Sequence, residues 1–337
     1  MRKKLLEIKG LETTFFTDNG QIPAVDNIEF SVHEGEILGI VGESGSGKSV
    51  TSLSIMGLIP SPPGKITGGE ILLDGKNLAK YTDKQMQKVR GKDIAMIFQE
   101  PMTSLNPLFT IGDQLKEAIS IHNPKWSKKE ALARAVEIMK LVGLPRAEEL
   151  LKDYPHQLSG GMRQRVMIAM ALVCDPQVLI ADEPTTALDV TIQAQILQLM
   201  KDLNKRLNTA VLLITHDLGV VAETCERVIV MYAGQIVEEA PVQEIFSNPK
   251  HPYTQGLIQS VPDMRHKKDS LYSIPGTVPK PGSIKVGCRF AARCEYAMER
   301  CLQETPPLFE ATEQHRSRCF LLEEQGVEQR VESVIKS

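Results

Sequence analysis

The chain contains the stretch Gly42-Glu43-Ser44-Gly45-Ser46-Gly47-Lys48-Ser49, which is followed by Val50. This stretch matches the pattern G-x-x-x-x-G-K-S, which builds a phosphate-binding loop when it connects a strand to a helix. Residues 36–41 read Glu-Ile-Leu-Gly-Ile-Val and predict a buried strand, and residues 49–59 have a helical pattern that Pro60 ends. The motif therefore has a predicted strand before it and a predicted helix after it, as a phosphate-binding loop requires. A glycine-rich turn that matched the pattern by chance would not need this context.

The chemistry of the loop accounts for its residue types. Glycines let the backbone curl so that successive N–H groups point inward at phosphate oxygens. The helix that follows contributes the positive end of its dipole. Lys48 can place its charge on the β- and γ-phosphates, and the Ser49 hydroxyl can bind Mg²⁺. The sequence predicts a site for nucleotide phosphates and Mg²⁺ here, and the motif alone leaves the class of nucleotide enzyme open.

A second acidic centre lies at the end of another apolar segment. Residues 178–181 read Val-Leu-Ile-Ala and predict a buried strand that ends in Asp182 and Glu183. Asp182, at the strand end, suits a Mg²⁺ ligand. Glu183, one residue on, can act as the general base for the water that attacks the γ-phosphate. The alternative is a pair of acidic residues that begins a solvated loop, and the presence of a phosphate loop weakens it.

Composition and charge limit the class of protein. The chain has 337 residues, of which 42% are hydrophobic, and a formal net charge of -3, which argues against nucleic acid as the main partner. No apolar stretch is long enough to cross a bilayer. The N-terminal segment reaches Glu7 before the apolar part of a signal peptide forms. We expect a cytosolic chain that reaches a membrane through partners.

The distribution of apolar segments predicts an α/β fold in four regions, because alternating strands and helices imply a parallel sheet covered by helices. Within the second region, residues 126–142 predict a helix that Gly143 ends. The regions are residues 1–98, with short strands and the phosphate loop, residues 99–160, a helical insertion, residues 161–240, with renewed strand–helix alternation, and residues 241–337, a proline-rich irregular extension.

Residues 158–162 read Leu-Ser-Gly-Gly-Met and resemble the signature motif of ABC ATPases, in which glutamine is commonest where Met162 stands. This departure matters little, because the motif binds nucleotide through its serine and backbone N–H groups at a helix start. Ser-Gly-Gly alone would indicate only a generic helix N-cap, but the other motifs of the family also occur in the chain, in the order that the family has. These are Gln99, similar to the Q-loop glutamine, Ala187-Leu188-Asp189, similar to the D-loop, His216, similar to the switch histidine, and Phe15 or Phe16, similar to the aromatic residue that stacks on adenine.

The resemblance spans about residues 10–240 and implies a P-loop NTPase ABC cassette. Such a cassette has a RecA-like parallel sheet core, an antiparallel β subdomain and a helical subdomain. Two cassettes would close head to tail around two ATP molecules, so that Ser159 and Gly161 of one face the phosphate loop of the other. The implied catalytic residues are Lys48, Gln99, Glu183 and His216, the implied Mg²⁺ ligands are Ser49, Gln99 and Asp182, and the implied nucleotide contacts include Phe15, residues 42–50, Gln99, Ser159, Gly160, Gly161, Asp182 and Asp189.

The C-terminal region narrows the family. His251-Pro252-Tyr253-Thr254 resembles a motif found just after the cassette in dipeptide and oligopeptide importer ATPases, a family that also includes nickel importers. Residues 274–279, which read Ile-Pro-Gly-Thr-Val-Pro, extend the resemblance over nearly the whole chain. It implies ATP-driven uptake of peptides at the cytoplasmic face of the cell membrane. The implied partners are two membrane-spanning permeases, a second ATPase subunit and, indirectly, an extracytoplasmic peptide-binding protein.

Four of the six cysteines cluster near the C-terminus, at Cys288, Cys294, Cys301 and Cys319. Four thiolates suffice for a [4Fe-4S] cluster or a structural Zn²⁺. The wide gaps between the cysteines favour an iron–sulfur cluster over zinc. Some ATPases of the peptide-importer family, which this chain resembles, carry a [4Fe-4S] cluster at such cysteines. Four reduced structural thiols are the alternative. The other two cysteines, Cys174 and Cys225, are expected to be ordinary core residues.

Alternative functions stay open at this point. The same motor could serve nickel or another solute, because other subunits choose the solute. An exporter motor is a further alternative, which the C-terminal resemblance disfavours. A soluble ABC ATPase of translation or DNA repair is another class, but the chain has one cassette, no heptad run and no basic face.

Overall fold

The computed structural model describes residues 2–18, 20–99, 104–186, 189–261 and 272–323. The described strands are β1 (Lys4–Thr17), β2 (Gly20–His33), β3 (Ile37–Val41), β4 (Gly64–Leu73), β5 (Lys76–Asn77), β6 (Ile94–Ile97), β7 (Val178–Asp182), β8 (Ala210–Ile214), β9 (Arg227–Tyr232), β10 (Gln235–Pro241), β11 (Phe309–Thr312) and β12 (His315–Ser317). The described helices are α1 (Lys48–Ile55), α2 (Asp83–Val89), α3 (Ile111–His122), α4 (Lys128–Leu141), α5 (Ala147–Leu150), α6 (Gly160–Leu172), α7 (Val190–Leu207), α8 (Leu218–Thr224), α9 (Val242–Ser247), α10 (Pro252–Gln259) and α11 (Glu299–Gln303). Single 3₁₀ turns occur at Leu78–Lys80, Pro155–Gln157 and Ala291–Arg293.

The larger sheet positions the loops that carry the predicted site. In the described part of the chain its strand order is β11-β12-β10-β9-β3-β8-β7-β6, and neighbours from β9 to β6 are parallel. Strands β3, β7 and β8 are buried along their whole length, which explains their continuous apolar sequences. Because these three strands are adjacent and parallel, the residues after Val41, Asp182 and Ile214 meet at one edge of the sheet.

The smaller sheet is antiparallel, with strand order β2-β1-β4-β5. Its centre is β1, where Ile8 pairs with Phe30 on one side and with Ile71 on the other. The three side chains are buried, and they belong to one apolar cluster with Ile55 of α1. The sheet therefore covers the helix that follows the phosphate loop, and it corresponds to the antiparallel β subdomain that the resemblance implies.

The helical region packs around the apolar faces of α3, α4 and α6. Helix α4 begins at a capping box in which Ser127 accepts from the Glu130 N–H and Glu130 accepts from the Ser127 N–H. It ends just before Gly143, whose φ is 74°. The helix predicted at residues 126–142 is thus confirmed, at Lys128–Leu141. The apolar cluster of this region continues into Ala181 of β7, so the region shares its core with the sheet.

The C-terminal extension differs from the irregular appendage that the sequence predicts. Strand β12 pairs with β10, with Glu238 opposite Ser317, so that β11 and β12 extend the edge of the main sheet. Glu238 is fully buried and accepts hydrogen bonds from the backbone N–H groups of Lys250 and His251 and from His315 Nε2, at 2.6, 3.0 and 2.7 Å. This polar network holds the extension against the core, because a buried carboxylate needs such donors.

Candidate functional site

The phosphate loop follows β3 directly and leads into α1, which begins at Lys48. Two of its glycines lie too close to neighbouring backbone for any side chain. A Cβ on Gly42 would lie 2.2 Å from the Met231 carbonyl oxygen. A Cβ on Gly47, whose φ is 102°, would lie 2.7 Å from the Ala24 carbonyl oxygen. The glycines therefore allow the chain to turn tightly between β9 and β2 before the helix starts.

The Lys48 side chain folds back over the loop. Its Nζ donates to the carbonyl oxygens of Gly42 and Glu43 at 2.6 and 3.0 Å and to Ser46 Oγ at 3.3 Å. Burial lowers the pKa of Lys48, and nearby carboxylates, of which Glu183 has the largest effect, oppose this shift. An ammonium group held by three loop oxygens is placed where it can exchange them for phosphate oxygens.

Asp182 at the end of β7 reaches the start of α1. Ser49 Oγ donates to Asp182 Oδ1 and Ser52 Oγ donates to Asp182 Oδ2, both at 3.3 Å. The carboxyl group is buried, which raises its pKa, and the two hydroxyl donors oppose the rise. A carboxylate beside a hydroxyl is the hard oxygen donor set that Mg²⁺ prefers, so Ser49 and Asp182 fit the predicted ion.

Glu183 is held by three side chains from three different segments. Gln99 Nε2 donates to Glu183 Oε2 at 2.8 Å and Thr186 Oγ1 donates to the same oxygen at 3.0 Å. His216 Nδ1 lies 3.1 Å from Glu183 Oε1. Glu183 has φ 47° and its N–H donates to the Ile214 carbonyl oxygen, which fixes the direction of the side chain.

The electrostatics of Glu183 favour the charged carboxylate. Burial raises its pKa, but the hydrogen bonds to His216 and Thr186, together with the charges of His216 and Lys48, outweigh burial and leave the pKa below its ordinary value. The group is therefore ionised at neutral pH, as a proton acceptor has to be.

The phosphate loop, Gln99, Glu183 and His216 line one open cleft of ≈ 220 Å³, and Asp182 lies behind it in contact with Ser49. The lining residues are Ser44, Gly45, Ser46, Gly47, Lys48, Ser49, Val50, Gln99, Glu183 and His216. The structure thus brings together the loop, the two acidic residues, the glutamine and the histidine that the sequence predicts. Gln99 contacts Glu183 here, and its role as a Mg²⁺ ligand stays a prediction. Thr186 and Ser52 were not predicted, since a single hydroxyl two or three residues from a motif has no distinctive pattern.

The predicted signature and D-loop residues lie outside the lining of this cleft. Ser159 is the N-cap of α6, where its Oγ accepts from the Met162 N–H at 3.3 Å, and both Ser159 and Gly160 are exposed. A Cβ on Gly161 would lie 3.2 Å from the Ile192 side chain at the start of α7. Asp189 is the N-cap of α7 and accepts from the Ile192 N–H at 3.0 Å. The remaining D-loop residues, 187 and 188, lie outside the described residues.

The aromatic residues proposed for adenine both lie on β1. Phe15 is half-buried, and a Cβ on Gly64 of β4 would lie 2.9 Å from its ring. Phe16 is 45% exposed. Successive strand residues face opposite sides of a sheet, so only one of the two can face a given ligand. The choice between them stays a prediction.

The four C-terminal cysteines surround one small cavity, and they are free thiols. Burial raises the pKa of Cys288 to about 11 and the pKa of Cys319 to about 12. Among the described residues, no group of three or more His, Cys, Asp or Glu side chains is arranged to hold a metal ion. The thiols as placed therefore do not form a metal site, although their chemistry suits one. Cys225 is a core residue beside Gly39, and burial raises its pKa to about 12.

Comparison with solved structures defines the class of protein. The fold is similar to the dimeric structure of MJ0796, a bacterial ABC transporter cassette, with a TM-score of 0.63 and 33% sequence identity over 71% of this chain and 99% of that one. The same cassette in a post-hydrolysis state, bound to ADP and Pi, gives a TM-score of 0.63 at 32% identity. A family model described as ABC transporter matches residues 25–186. The fold and the cleft are those of an ATP-hydrolysing cassette of the ABC class.

The C-terminal region and the relatives identify the family. A model described as the C-terminal region of oligopeptide/dipeptide transporters matches residues 237–301. The oligopeptide transport ATP-binding protein AppD of Bacillus subtilis is 56% identical over 96% of this chain and 99% of its own length. The dipeptide transport ATP-binding protein DppD of Lactococcus lactis subsp. cremoris is 50% identical over 95% of this chain and 92% of its own length. The chain belongs to the ATP-binding proteins of the oligopeptide/dipeptide ABC transporter family, which confirms the predicted resemblance. Within its described residues no helix combines the length and apolarity of a membrane span.

Proposed function

We propose that this chain drives the uptake of di- or oligopeptides by an ABC importer, working at the cytoplasmic face of the cell membrane. The observation that carries the proposal is the position of Glu183. Its ionised carboxylate is fixed by Gln99, His216 and Thr186 beside a phosphate loop and a Mg²⁺-type donor set. A fixed base next to a phosphate site is suited to hydrolysis rather than to nucleotide storage.

Each group in the cleft has one task in the proposed reaction. Lys48 and the loop N–H groups bind the β- and γ-phosphates. Ser49 and Asp182 would hold a Mg²⁺ ion, which would supply positive charge to the same phosphates. Glu183 orients a water molecule and takes its proton as the water attacks the γ-phosphate in line. His216 keeps the carboxylate of Glu183 ionised and oriented through their contact.

A second ATPase subunit completes the site in this proposal. Ser159 and Gly160 lie exposed at the start of α6, outside the cleft that the chain itself forms. A helix start with free N–H groups binds anions, so these residues are suited to the γ-phosphate of ATP held by another cassette. Asp189, the N-cap of α7, is also exposed and could therefore contact the second cassette. The second cassette is either a copy of this chain or a paralogue.

We propose that the chain is held at the membrane by binding two membrane permeases. An apolar groove of ≈ 370 Å³ lies between the sheet and the helical region, and its lining includes Phe98, Leu105 and Met170. Phe98 is 42% exposed and precedes Gln99, which contacts Glu183. We propose that a helical segment of a permease occupies this groove. Movement of that permease segment would be transmitted to the Glu183 carboxylate through the peptide bond between Phe98 and Gln99 and the hydrogen bond from Gln99 to Glu183.

Peptides are the proposed solute because the relatives are named for oligopeptide and dipeptide transport. A peptide-binding protein outside the membrane would deliver the solute to the permeases. Reconstitution of the complete transporter in proteoliposomes tests the proposal with labelled di- and oligopeptides as probes. We expect ATP-dependent peptide uptake, and we expect its loss with Lys48→Ala. ATP-dependent uptake of Ni²⁺ without peptide uptake would contradict the proposed solute, and co-purification with ribosomes or DNA instead of permeases would contradict transport.

We also propose a [4Fe-4S] cluster, with Zn²⁺ as the alternative, at the C-terminal cysteines. The support is that Cys288, Cys294, Cys301 and Cys319 line a single cavity and form no disulfide. Binding would require the thiols to move together and lose their protons, and burial raises the pKa values of Cys288, Cys294 and Cys319. Metal analysis of protein purified without oxygen tests the proposal. Protein that contains neither iron nor zinc contradicts it.

A further inference from the structure

The carboxylate of Glu43, the second residue of the phosphate loop, is paired with Arg293 of the C-terminal extension. Arg293 Nη1 donates to Glu43 Oε2 at 2.7 Å and Arg293 Nη2 donates to Glu43 Oε1 at 3.1 Å. The two residues are 250 positions apart in the sequence. A two-point contact between a guanidinium and a carboxylate fixes direction as well as distance.

Arg293 is itself held in place from several sides. Its Nε donates to the Pro275 carbonyl oxygen at 2.8 Å and its Nη2 to the Ile274 carbonyl oxygen at 3.3 Å. The guanidinium lies 5.8 Å from the ring centre of Tyr232, and the arginine side chain is only 5% exposed. Because few other positions are open to it, the ion pair holds Glu43 against the protein rather than joining two mobile surface groups.

The backbone of the same residue is held by Tyr253. The Glu43 N–H donates to the Tyr253 hydroxyl oxygen at 2.9 Å. Tyr253 is fully buried and packs against Tyr232 and Phe290, with ring centres 4.6 and 5.4 Å away. The side chain and the main chain of Glu43 are thus both fixed by residues outside the cassette motifs, and we name Arg293 and Tyr253 together the Glu43 clamp.

A second arginine of the extension, Arg289, contacts the turn between β9 and β10, which in turn contacts the phosphate loop. Arg289 donates to the Ala233 carbonyl oxygen and to Asp26. Gly234, which follows Ala233 in the chain, donates its N–H to the Ser46 carbonyl oxygen at 2.8 Å. The segment from 288 to 294, bounded by two of the clustered cysteines, therefore contacts the phosphate loop at Glu43 and the turn that supports it at residue 233.

We propose that Arg293 and Tyr253 are positioning residues that hold the phosphate loop in its nucleotide-binding conformation, so that the C-terminal extension sets the affinity for ATP. The inference rests on the proposed role of residues 42–49 as the phosphate loop. The loop binds phosphate through backbone N–H groups, which must all point at one place. A loop whose second residue is fixed in advance loses less conformational freedom when ATP binds.

The proposal predicts a change in ATP affinity with little change in the chemical step. We expect Arg293→Ala and Glu43→Gln each to raise the Kd and the KM for ATP about tenfold, since one lost two-point charged contact is of this size. Turnover at saturating ATP should change less than about twofold in Arg293→Ala, because Arg293 is not among the residues that line the cleft. Tyr253→Phe, which removes only the hydroxyl acceptor, should raise the Kd by a smaller factor.

Arg300→Ala is the matched control. Arg300 lies in the same extension, pairs with Glu304 and Glu323 at 2.9 and 2.5 Å, and has no contact with the loop among the described residues. Its removal should leave the Kd for ATP unchanged. Thermal melts of all variants separate loss of affinity from loss of folding, and Glu43→Gln, which keeps Arg293 and the N–H to Tyr253, decides the matter if Arg293→Ala does not fold.

A second readout does not depend on hydrolysis. Binding is reciprocal, so a bound nucleotide must stabilise the clamp as much as the clamp favours the nucleotide. Hydrogen–deuterium exchange of the backbone N–H groups of residues 288–294, quantified by mass spectrometry, should slow when Mg²⁺–ADP is added to the wild-type chain. The slowing should be lost in Arg293→Ala.

The outcomes separate this inference from the proposed function. If Lys48→Ala loses ATP binding while Arg293→Ala and Glu43→Gln keep the wild-type Kd and the nucleotide effect on hydrogen exchange in residues 288–294, the clamp is wrong and the phosphate loop stands. If Lys48→Ala itself binds ATP like the wild type, the phosphate-loop assignment is wrong, and the clamp inference falls with it.

Discussion

Replacement of Glu183 by glutamine removes the proposed proton acceptor while changing little else. Glutamine has almost the same volume, and its amide oxygen can still accept from Gln99 and Thr186, which now donate to Glu183 at 2.8 and 3.0 Å. The contacts of Lys48, Ser49 and Asp182 do not involve this side chain. The variant should therefore bind Mg²⁺–ATP with an affinity close to that of the wild type.

The size of the effect follows from the role of the carboxylate. A positioned general base contributes about 10²–10⁴-fold to rate, which is roughly 2.7–5.5 kcal/mol in the barrier. The pKa of Glu183 lies below its ordinary value, so the wild-type residue is fully ionised at neutral pH and the whole contribution is available. We expect kcat to fall about 100-fold or more.

The assay is phosphate release at saturating ATP, with ATP affinity measured separately by calorimetry. Glu148→Gln is a matched control, because Glu148 is exposed and pairs with Lys140, at 2.6 Å, on the surface of the helical region. It should leave both quantities unchanged. A Glu183→Gln variant that binds ATP and hydrolyses it at the wild-type rate would refute the assignment of Glu183 as the base.

Three further changes test other parts of the structure. His216→Ala removes a hydrogen bond and a charge that lower the pKa of Glu183, so the acid limb of the pH–kcat profile should move to higher pH, and an unmoved limb would contradict the contact. Glu238→Ala leaves three donors, two of them buried, without their acceptor and should cost roughly 3–5 kcal/mol in the free energy of unfolding, measured by urea titration against the exposed control Glu244→Ala. Met170→Glu places a charge in the apolar groove, so it should keep ATP binding but abolish stimulation of hydrolysis by the permeases, and retained stimulation would rule out docking there.

Much of the site could be predicted from the sequence because its parts are local. The phosphate loop, the buried strand that ends in Asp182 and the cap at Ser159 each depend on a few consecutive residues. Parallel strands then bring their carboxyl ends together, which is a general property of such sheets. The meeting of Lys48, Glu183 and His216 in one cleft follows from these two facts.

The C-terminal extension was harder to predict because its contacts are long-range. Nothing in the sequence around residues 309–317 shows that β12 will pair with β10, since three residues carry little strand pattern. The ion pair between Glu43 and Arg293 joins residues far apart in the chain, and an arginine between two cysteines has no pattern that names its partner. The metal site that the cysteine spacing indicates stays a prediction, because the four thiols line one cavity but are not arranged around an ion.

The most direct measurement is the release of phosphate from Mg²⁺–ATP by the purified chain before and after a second cassette is added, with ATP binding recorded in the same samples. The account predicts that the chain binds ATP alone through residues 42–49. It also predicts that phosphate release rises by about tenfold or more once a second cassette supplies its exposed signature residues. Chain that binds no Mg²⁺–ATP, or that hydrolyses it equally fast at every concentration of the second cassette, would contradict the account.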